Sequence, residues 1–435
     1  MPALAYRKVP QFRLHKPTGQ GYVRLNGQFK YLGRYDDPAT QQRYHRLIAE
    51  WIAGGYLAPV DPQEMTVEEL MLRYTAHARE YYRKPDGRLT SEFTVICQAL
   101  KPLRALYGDS RAADFGPKAM LAVRQRMIEM GWCRKSVNKN TNRIRCMFRW
   151  AVERELVPGG VYHALIAVVG LKRGRCAAQE RPPVKPVSMD QVNAIQPFVS
   201  RQVWALVQLQ LLTAARAGEL VGIRKGDIDR SGDVWVYTPA EHKTAHYGHQ
   251  RTIYFGPKAK ELLQPFLMRP DHKPLFSPAE AEKERREEMH AARETPTGHG
   301  NGPGTNRTPT PRRFAGDQYE VGSYRRAIVR ACEIAFAMPA EIQASRADKP
   351  ATDDTPEQLD AKAARRKHKS MQRRQWREKH CWHPHQLRHT AATELRKQFG
   401  LEAARVVLGH RSAAITEVYA EIDRARAVDA MQKVG

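Results

Sequence analysis

The stretch "HPHQLRHTAATELRKQFG", residues 383–400, brings three histidines and two arginines together with a single acidic residue. Clustered histidines raise three possibilities: a metal site, a pair of acid/base catalysts, or a cationic pocket for a phosphate. A helix that begins near Pro384 places His385, Arg388 and His389 at positions i, i+3 and i+4, on one face. An arginine in the middle of that face repels a divalent cation, whereas histidine and guanidinium groups both donate to phosphate oxygens. The stretch therefore favours an anion site over a metal site.

The composition of the whole chain indicates a polyanionic partner. Its 435 residues include 72 Lys and Arg against 46 Asp and Glu, a net charge of +26, and such a charge attracts nucleic acid and neutralises phosphates. The six cysteines form no CxxC pair, which fits free thiols in a reducing cytoplasm better than disulfides or structural zinc. No run approaches the roughly 20 apolar residues of a membrane span, and the N-terminus has no apolar signal core. We expect a cytoplasmic protein that binds DNA and no membrane.

Two linkers predict three domains. The first domain is residues 1–60, the linker "LAPVDPQ" leads into a second at 61–180, and the Pro- and charge-rich "KRGRCAAQERPPVKP" leads into a third at 181–435. Each linker is followed by a Ser/Thr-x-x-Glu/Gln capping box, at Thr66 and at Ser188, with apolar residues at the staple positions. Such a box marks the first turn of a helix.

The first two domains contain predicted basic surfaces. In the first, "GYVRL" and "QFKYLGRY" flank an Asn26-Gly27 turn and predict a β-hairpin, followed by an amphipathic helix. This module fits a DNA groove or serves as a stabilising appendage. In the second, "CRKSVNKNTNRIRCMFRWAVEREL" predicts a helix with an apolar stripe. Its opposite side, left for solvent or phosphate, contains Lys135, Lys139, Arg143, Arg145 and Arg149.

The third domain changes period along its length. A buried helix in "VWALVQLQLLTAA" is followed by the strand patterns "DVWVYTP" and "RTIYF", and "SYRRAIVRACEIAFAM" predicts another amphipathic helix. Charged segments near 279–316 and 343–379 are poor in apolar residues and are expected to be flexible or loosely packed insertions. The predicted fold class is multidomain and mainly α: a small N-terminal hairpin/helix module, a helical second domain, and a mixed α+β third domain with a small β-sheet.

Further cationic positions and one phenol follow a fixed order in the third domain. Arg216 lies in "LLTAARAGELVGI", Lys243 lies between the two strand patterns, His410 follows a helix end at Gly409 in "VLGHRS", and Tyr419 lies in "ITEVYAEID". Taken singly, each is more often a surface or core-edge residue. Their order around the H-x-L-R-H segment makes the set specific.

With these motifs, the third domain over roughly residues 185–430 resembles the catalytic domain of tyrosine recombinases (phage-type integrases). The resemblance implies six catalytic residues: Arg216, Lys243, His385, Arg388, His410 and Tyr419. His389 matches a more structural histidine of that family, and His383 has no assigned role. The interval between Lys243 and His385 is longer than the family pattern, so the resemblance leaves that side of the pocket open.

The resemblance also implies partners. The second domain resembles a helical core-binding (SAM-like) domain, and the first an arm-type DNA-binding module. The implied partner is double-stranded DNA, bound by a homotetramer during recombination, with accessory DNA-bending or directionality proteins as further partners. No cofactor and no metal are implied. A bacterial or phage-derived protein at the nucleoid of the cytoplasm is expected.

The chemistry of these residue types supports strand transfer through tyrosine. A phenol has an ordinary pKa of about 10 and needs a base and a cationic surrounding to act as a nucleophile. His385 is the predicted base for Tyr419, and Lys243 the predicted proton donor to the leaving 5′-oxygen. The remaining cations, Arg216, Arg388 and His410, are predicted to bind the phosphoryl oxygens. Two alternatives stay open: a catalytically inactive DNA-binding regulator of the same fold, and a type IB topoisomerase that relaxes DNA.

Overall fold

The computed structural model describes residues 9–53, 61–84, 86–240, 251–294, 314–345, 348–351 and 354–409. The chain divides into two compact units, which we call unit 1 (residues 1–182) and unit 2 (residues 183–435). The division into three domains stays a prediction. None of the helices in the described part is long and apolar enough to cross a membrane.

Unit 1 begins with a three-stranded antiparallel sheet and a helix: β1 (Arg13–His15), β2 (Gln20–Leu25), β3 (Gln28–Arg34) and α1 (Pro38–Ala53). Asn26 and Gly27 both have positive φ, 49° and 89°, as a two-residue turn needs to match the strand twist. The predicted hairpin is confirmed. Its small core is made by Val23, Leu25, Ile48 and Trp51.

The rest of unit 1 is helical: α2 (Val67–Tyr81), α3 (Ser91–Tyr107), α4 (Pro117–Glu129), α5 (Arg134–Glu153) and α6 (Gly159–Ile166). The predicted capping box is present, because the Glu69 N–H donates to Thr66 Oγ1 at 3.2 Å and the Thr66 N–H donates to Glu69 Oε2 at 3.0 Å. The staple residues Met65 and Leu70 are buried.

The basic side of α5 differs from its prediction at one position. Its apolar stripe is buried as expected, and Lys135, Lys139 and Arg149 are exposed. Arg143, however, makes a two-pronged ion pair with Glu92 on α3, with Nε–Oε1 at 2.6 Å and Nη2–Oε2 at 2.8 Å. This arginine therefore holds two helices together, and the prediction that it is left for solvent or phosphate is wrong.

Unit 2 surrounds the buried helix α8 (Arg201–Thr213) and confirms the predicted mainly α class with a small sheet. Its three short strands pair antiparallel in the order β4 (Ile228–Asp229), β5 (Trp235–Tyr237) and β6 (Ile253–Phe255). The other α-helices in the described part of unit 2 are α7 (Met189–Asn193), α9 (Ala217–Leu220), α10 (Pro257–Leu263), α11 (Pro278–Ala291), α12 (Val321–Ala335), α13 (Pro356–His380) and α14 (Pro384–Leu408). Helix α14 is kinked at Gly400, whose φ of 84° and ψ of 176° are not helical.

The described part of each charged insertion contains a regular helix, which the prediction of flexible or loosely packed segments did not include. Helix α11 is held by pairs within itself, as between Glu282 and Arg285 at 2.8 Å. Helix α13 begins at a capping box of Thr355 and Gln358 and has no buried residue, which agrees with loose packing. Capping, long side chains of high helix propensity and charge pairs one turn apart sustain a helix without an apolar face.

Candidate functional site

The segment 383–389 forms the first turns of α14, as its spacing predicts. The His383 N–H, at the N-cap, donates to Gln386 Oε1 at 3.2 Å, and the Gln386 amide donates to the Lys185 carbonyl at 3.2 Å. His385 is exposed and its ring meets the buried His389 ring edge-on, with centroids 5.1 Å apart. The turn therefore presents one imidazole to solvent and packs the other inside.

His383 has a structural position that the sequence did not assign. It caps α14, and burial lowers the pKa of its imidazole, with the positive charge of Arg325 and the neighbouring His385 acting in the same direction. The ring is therefore held neutral over a wider range of pH than an ordinary histidine.

Arg388 is fully buried and joins two helix ends. Its Nη1 donates to the Ala214 carbonyl at 2.6 Å, and its Nη2 donates to the Leu408 carbonyl at 2.8 Å. Carbonyls at helix C-termini lack partners inside the helix and point the negative end of the helix dipole outward, so they suit a guanidinium. Ala214 has the left-handed φ of 52° that ends α8. Arg388 therefore fixes the corner before Arg216 and the last turn of α14 to each other.

A buried glutamine adds a second link at the same corner. Gln210 of α8 donates from Nε2 to the Ala215 carbonyl at 3.2 Å and to the Pro384 carbonyl at 3.0 Å. Its Oε1 accepts from the buried Tyr324 hydroxyl at 3.2 Å. The backbone immediately before Arg216 is thereby connected to the backbone immediately before His385.

Arg216 begins α9 and is paired with a buried carboxylate. Glu219 accepts from Arg216 Nη1 at 2.7 Å and from the Arg216 N–H at 2.9 Å. Its Oε2 lies 3.5 Å from Nε of Arg251, and the side chains of Arg251 and Glu219 are 6% and 3% exposed. The Arg216 side chain is 30% exposed, so it lies at the surface of this cluster, where a ligand can reach it.

Electrostatics keep Glu219 ionised. Burial raises the pKa of its carboxyl, but the charge of Arg251 and the hydrogen bonds and charge of Arg216 outweigh burial, and the net pKa is lowered. Burial lowers the pKa of Arg251, and Glu219 opposes that effect. Two arginines, Arg216 and Arg251, therefore meet one carboxylate, which leaves an excess of positive charge for an anion.

Sequence reasoning missed Glu219 and Arg251. Arg251 donates from Nη1 to the Val407 carbonyl at 3.0 Å, so it links α9 to the end of α14. A signal for it exists, because Arg251 alternates with Ile253 and Phe255, which are buried, and side chains two apart on a strand share a face. An arginine on an apolar face requires a partner, and the unused glutamate of "ARAGEL" supplies it.

Three of the six predicted catalytic residues are described. Arg216, His385 and Arg388 lie around one corner of unit 2 through the contacts above. Lys243, His410 and Tyr419 lie outside the described residues. Within the described ranges, no group of three His, Cys, Asp or Glu side chains is arranged to hold a metal ion.

Comparisons with known proteins agree with this architecture. Residues 325–426 match the model of the phage integrase family. The fold is similar to that of lambda integrase, solved as a dimer bound to a COC′ core site, with a TM-score of 0.51 and 16% identity over 97% of this chain and 97% of that chain. A shorter lambda integrase chain bound to a core site gives 0.50 and 15% identity over 82% of this chain and 96% of that chain. No curated protein sequence matches the chain.

The family match includes α14, which carries His385 and Arg388, and the likeness in fold extends over both units. Residues 325–426 are therefore similar to the phage integrase family, and the fold is similar to that of lambda integrase.

Proposed function

We propose that the chain is a site-specific DNA recombinase that cuts and rejoins DNA through a covalent 3′-phosphotyrosine intermediate. The observation that carries the proposal is the corner where Arg388 and Gln210 connect the start of α9, with Arg216, to the first turn of α14, with His385. A scissile phosphate is an anion whose oxygens accept hydrogen bonds from the guanidinium and imidazole groups of this corner.

The proposed reaction begins with attack of the Tyr419 hydroxyl oxygen on phosphorus. His385 takes the phenolic proton, the new bond joins the tyrosine oxygen to the 3′-side phosphate, and the bond to the 5′-oxygen breaks. Lys243 supplies the proton for that 5′-oxygen. Arg216 and His410 neutralise the charge that develops on the phosphoryl oxygens, which contributes several kcal/mol in a preorganised site. Arg388, buried and bonded to the Ala214 and Leu408 carbonyls, holds the corner that positions Arg216 and adds its charge from inside the protein.

The covalent ester conserves the energy of the phosphodiester bond. A 5′-hydroxyl of a second duplex therefore attacks the phosphotyrosine and reseals the strand without ATP. Exchange between two duplexes requires four cleavages, so we propose four protomers on DNA. Lambda integrase, whose fold this chain shares, was solved as a dimer bound to a core site. The division into an arm-type module at 1–60, a core-binding domain at 61–180 and a catalytic domain at 181–435 belongs to the same proposal.

A plasmid assay separates this function from the two alternatives. Attachment-like repeats are first sought by sequencing the DNA beside the gene, and those found are placed in pairs on a supercoiled plasmid. We expect product circles or inversions that depend on two sites. Relaxation of a plasmid without sites, with no recombinants, indicates a topoisomerase. Binding to the repeats without either product indicates an inactive regulator and contradicts the proposal.

Rescue chemistry tests the role of Lys243. Lys243→Ala is expected to slow cleavage of an ordinary strand by about 100-fold or more, within the usual range for general acid catalysis. A substrate with sulfur in place of the bridging 5′-oxygen has a leaving group that needs no proton. We expect this substrate to restore the rate of the variant, while Lys258→Ala, which removes an exposed lysine of α10, leaves both rates unchanged. Failure of the rescue removes Lys243 from the proton-donor role.

A further inference from the structure

Helix α13 is the most cationic element in the described part of unit 2. Its sequence "PEQLDAKAARRKHKSMQRRQWREKH" contains nine Lys and Arg residues against three acidic residues, and none of its residues is buried. Helix α11, the other insertion, contains three Lys and Arg against five Glu. Both helices are largely exposed, so exposure alone does not explain why only α13 has a large positive charge.

Five of the nine cations of α13 lie along one face. A spacing of i, i+1, i+4, i+7, i+8 and i+11 keeps residues on one side of a helix. This spacing is found at positions 366, 367, 370, 373, 374 and 377. We call this face the basic stripe; it consists of Arg366, Lys367, Ser370, Arg373, Arg374 and Arg377. No acidic residue occupies any of its positions. At about 1.5 Å per residue the stripe is about 17 Å long.

A different face of α13 is attached to the protein. Lys362 pairs with Asp354 at 2.5 Å and Lys369 pairs with Asp348 at 2.9 Å. These two lysines are about 90° around the helix from the middle of the basic stripe. Their acidic partners hold the helix in place and leave the stripe on another side.

The stripe is only partly neutralised by the chain itself. Arg377 pairs with Glu333 of α12 at 2.5 Å, and Arg374 pairs with Glu378 on the same helix at 3.1 Å. Among the described residues, Arg366, Lys367 and Arg373 have no carboxylate within 4.0 Å. Unlike the cations of α11, which are matched by their own glutamates, these three are available to an external anion.

The stripe ends close in sequence to the candidate active site, eight residues before His385. Helix α13 ends at His380, and α14 begins at Pro384, immediately before the exposed His385. Five peptide links separate His380 from His385, so their Cα atoms are at most about 19 Å apart. A duplex has one phosphate charge per roughly 1.7 Å of its axis. A phosphate held at His385 therefore brings a continuous row of phosphates within reach of α13.

We propose that the basic stripe of α13 binds the phosphate backbone of duplex DNA next to the strand-exchange site, and thereby adds a DNA contact to the catalytic unit. The identity of the ligand rests on the proposed function, because the stripe itself shows only that the ligand is a polyanion. Such contacts position the duplex without reading its sequence.

The test compares two triple variants of the full chain. The stripe variant is Arg366→Gln, Lys367→Gln and Arg373→Gln, and the control, Lys283→Gln, Arg285→Gln and Arg286→Gln, removes the same number of charges from α11. Fluorescence anisotropy measures the affinity for a 30-base-pair duplex at several salt concentrations. Each lost phosphate contact lowers the slope of log K against log salt by about 0.9. We expect the stripe variant to lose about 2.7 in slope and the control less than about 0.5.

Three results overturn the proposal. The first is a salt slope of the stripe variant equal to that of the wild type. The second is an equal loss of slope in the stripe and control variants. The third is a loss of slope with a 30-base single-stranded RNA but not with the duplex. If the stripe variant does not fold, hydrogen exchange of the wild type replaces it. We then expect residues 362–377 to exchange more slowly when the duplex is bound and residues 278–291 to be unaffected, and equal exchange in both segments contradicts the proposal.

These measurements do not depend on catalysis. A reduced slope in a protein that never forms a covalent complex supports the stripe and contradicts the proposed recombinase. Normal cleavage with an unreduced slope supports the recombinase and contradicts the stripe.

Discussion

Replacing Glu219 by Gln probes the arginine cluster with almost no change of shape. The carboxylate is 3% exposed and is in contact with Arg216 at 2.7 Å and with Arg251 at 3.5 Å. The amide of Gln keeps one acceptor, loses the charge, and directs N–H donors towards guanidinium donors. Removing one partner of a buried ion pair costs about 3–5 kcal/mol. Because Arg216 is partly exposed, we expect the lower end of that range, about 3 kcal/mol.

Pulse proteolysis of the full chain in urea measures this loss for unit 2, because each unit is recognised by the size of its protected fragment. With a urea slope of roughly 3 kcal/mol per molar, the midpoint of unit 2 falls by about 1 M. Glu261→Gln is the matched control, since Glu261 is exposed on α10, and its midpoint is expected to stay within about 0.2 M of the wild type.

A double-mutant cycle assigns the loss to the ion pair. Arg251→Met removes the cation and keeps an unbranched side chain. The combination of Glu219→Gln and Arg251→Met is expected to lose at least about 1 kcal/mol less than the sum of the single losses. Additive losses, or an unchanged midpoint in Glu219→Gln, refute the reasoning that the carboxylate holds the cluster. In the variant, Arg216 loses its fixed geometry, and strand cleavage is expected to fall about 100-fold.

Three further predictions follow from the described contacts. The pKa of Glu219 is lowered in the folded chain, so the stabilisation by its carboxylate is fully present above the ordinary glutamate pKa of about 4.3 and is lost as pH falls through the folded pKa. We therefore expect the difference between the urea midpoints of the wild type and Glu219→Gln to shrink below about pH 4. A difference that grows below this pH contradicts the prediction. Gly409→Ala places a Cβ 2.5 Å from Arg251 Nη1 at a φ of 65°, and should lower the unfolding free energy of unit 2 by about 2 kcal/mol. Gly316→Ala, where the nearest atom to the new Cβ is 3.8 Å away, should be close to neutral. Equal urea midpoints for the two variants argue against the close packing of Gly409. Thr66→Ala removes the N-cap of α2 and should lower the urea midpoint of unit 1 by an amount that corresponds to about 1 kcal/mol. The control, Thr94→Ala, changes an exposed position of α3 and should leave that midpoint nearly unchanged. Equal midpoints for the two variants would falsify the role of the cap.

The elements that follow from local chemistry could be predicted from the sequence. The helix from Pro384, its end at Gly409, the turn at Asn26-Gly27 and the cap at Thr66 depend on residues within a few positions of each other. Periodicity and capping preferences determine such features before any tertiary contact forms.

Contacts between distant segments could not be predicted in the same way. Arg143 and Glu92 are 51 positions apart, and the ion pair of Glu219 with Arg251 joins two elements separated by the small sheet. Nothing local to Arg143 distinguishes a bridging arginine from a solvated one. Helix α13 illustrates the opposite difficulty, because a charged segment poor in apolar residues resembles a linker although its composition favours a helix.

The central claim is that Tyr419 is the nucleophile. A suicide duplex, nicked close to the cleavage point of one of the repeats beside the gene, releases a short fragment after attack and traps the covalent complex. Denaturing electrophoresis and mass spectrometry then report the DNA-linked peptide. We predict an adduct on Tyr419 in the wild type, and no adduct in Tyr419→Phe although this variant binds the same duplex with unchanged affinity. An adduct of equal yield in Tyr419→Phe, or one on a different residue of the wild type, contradicts the account.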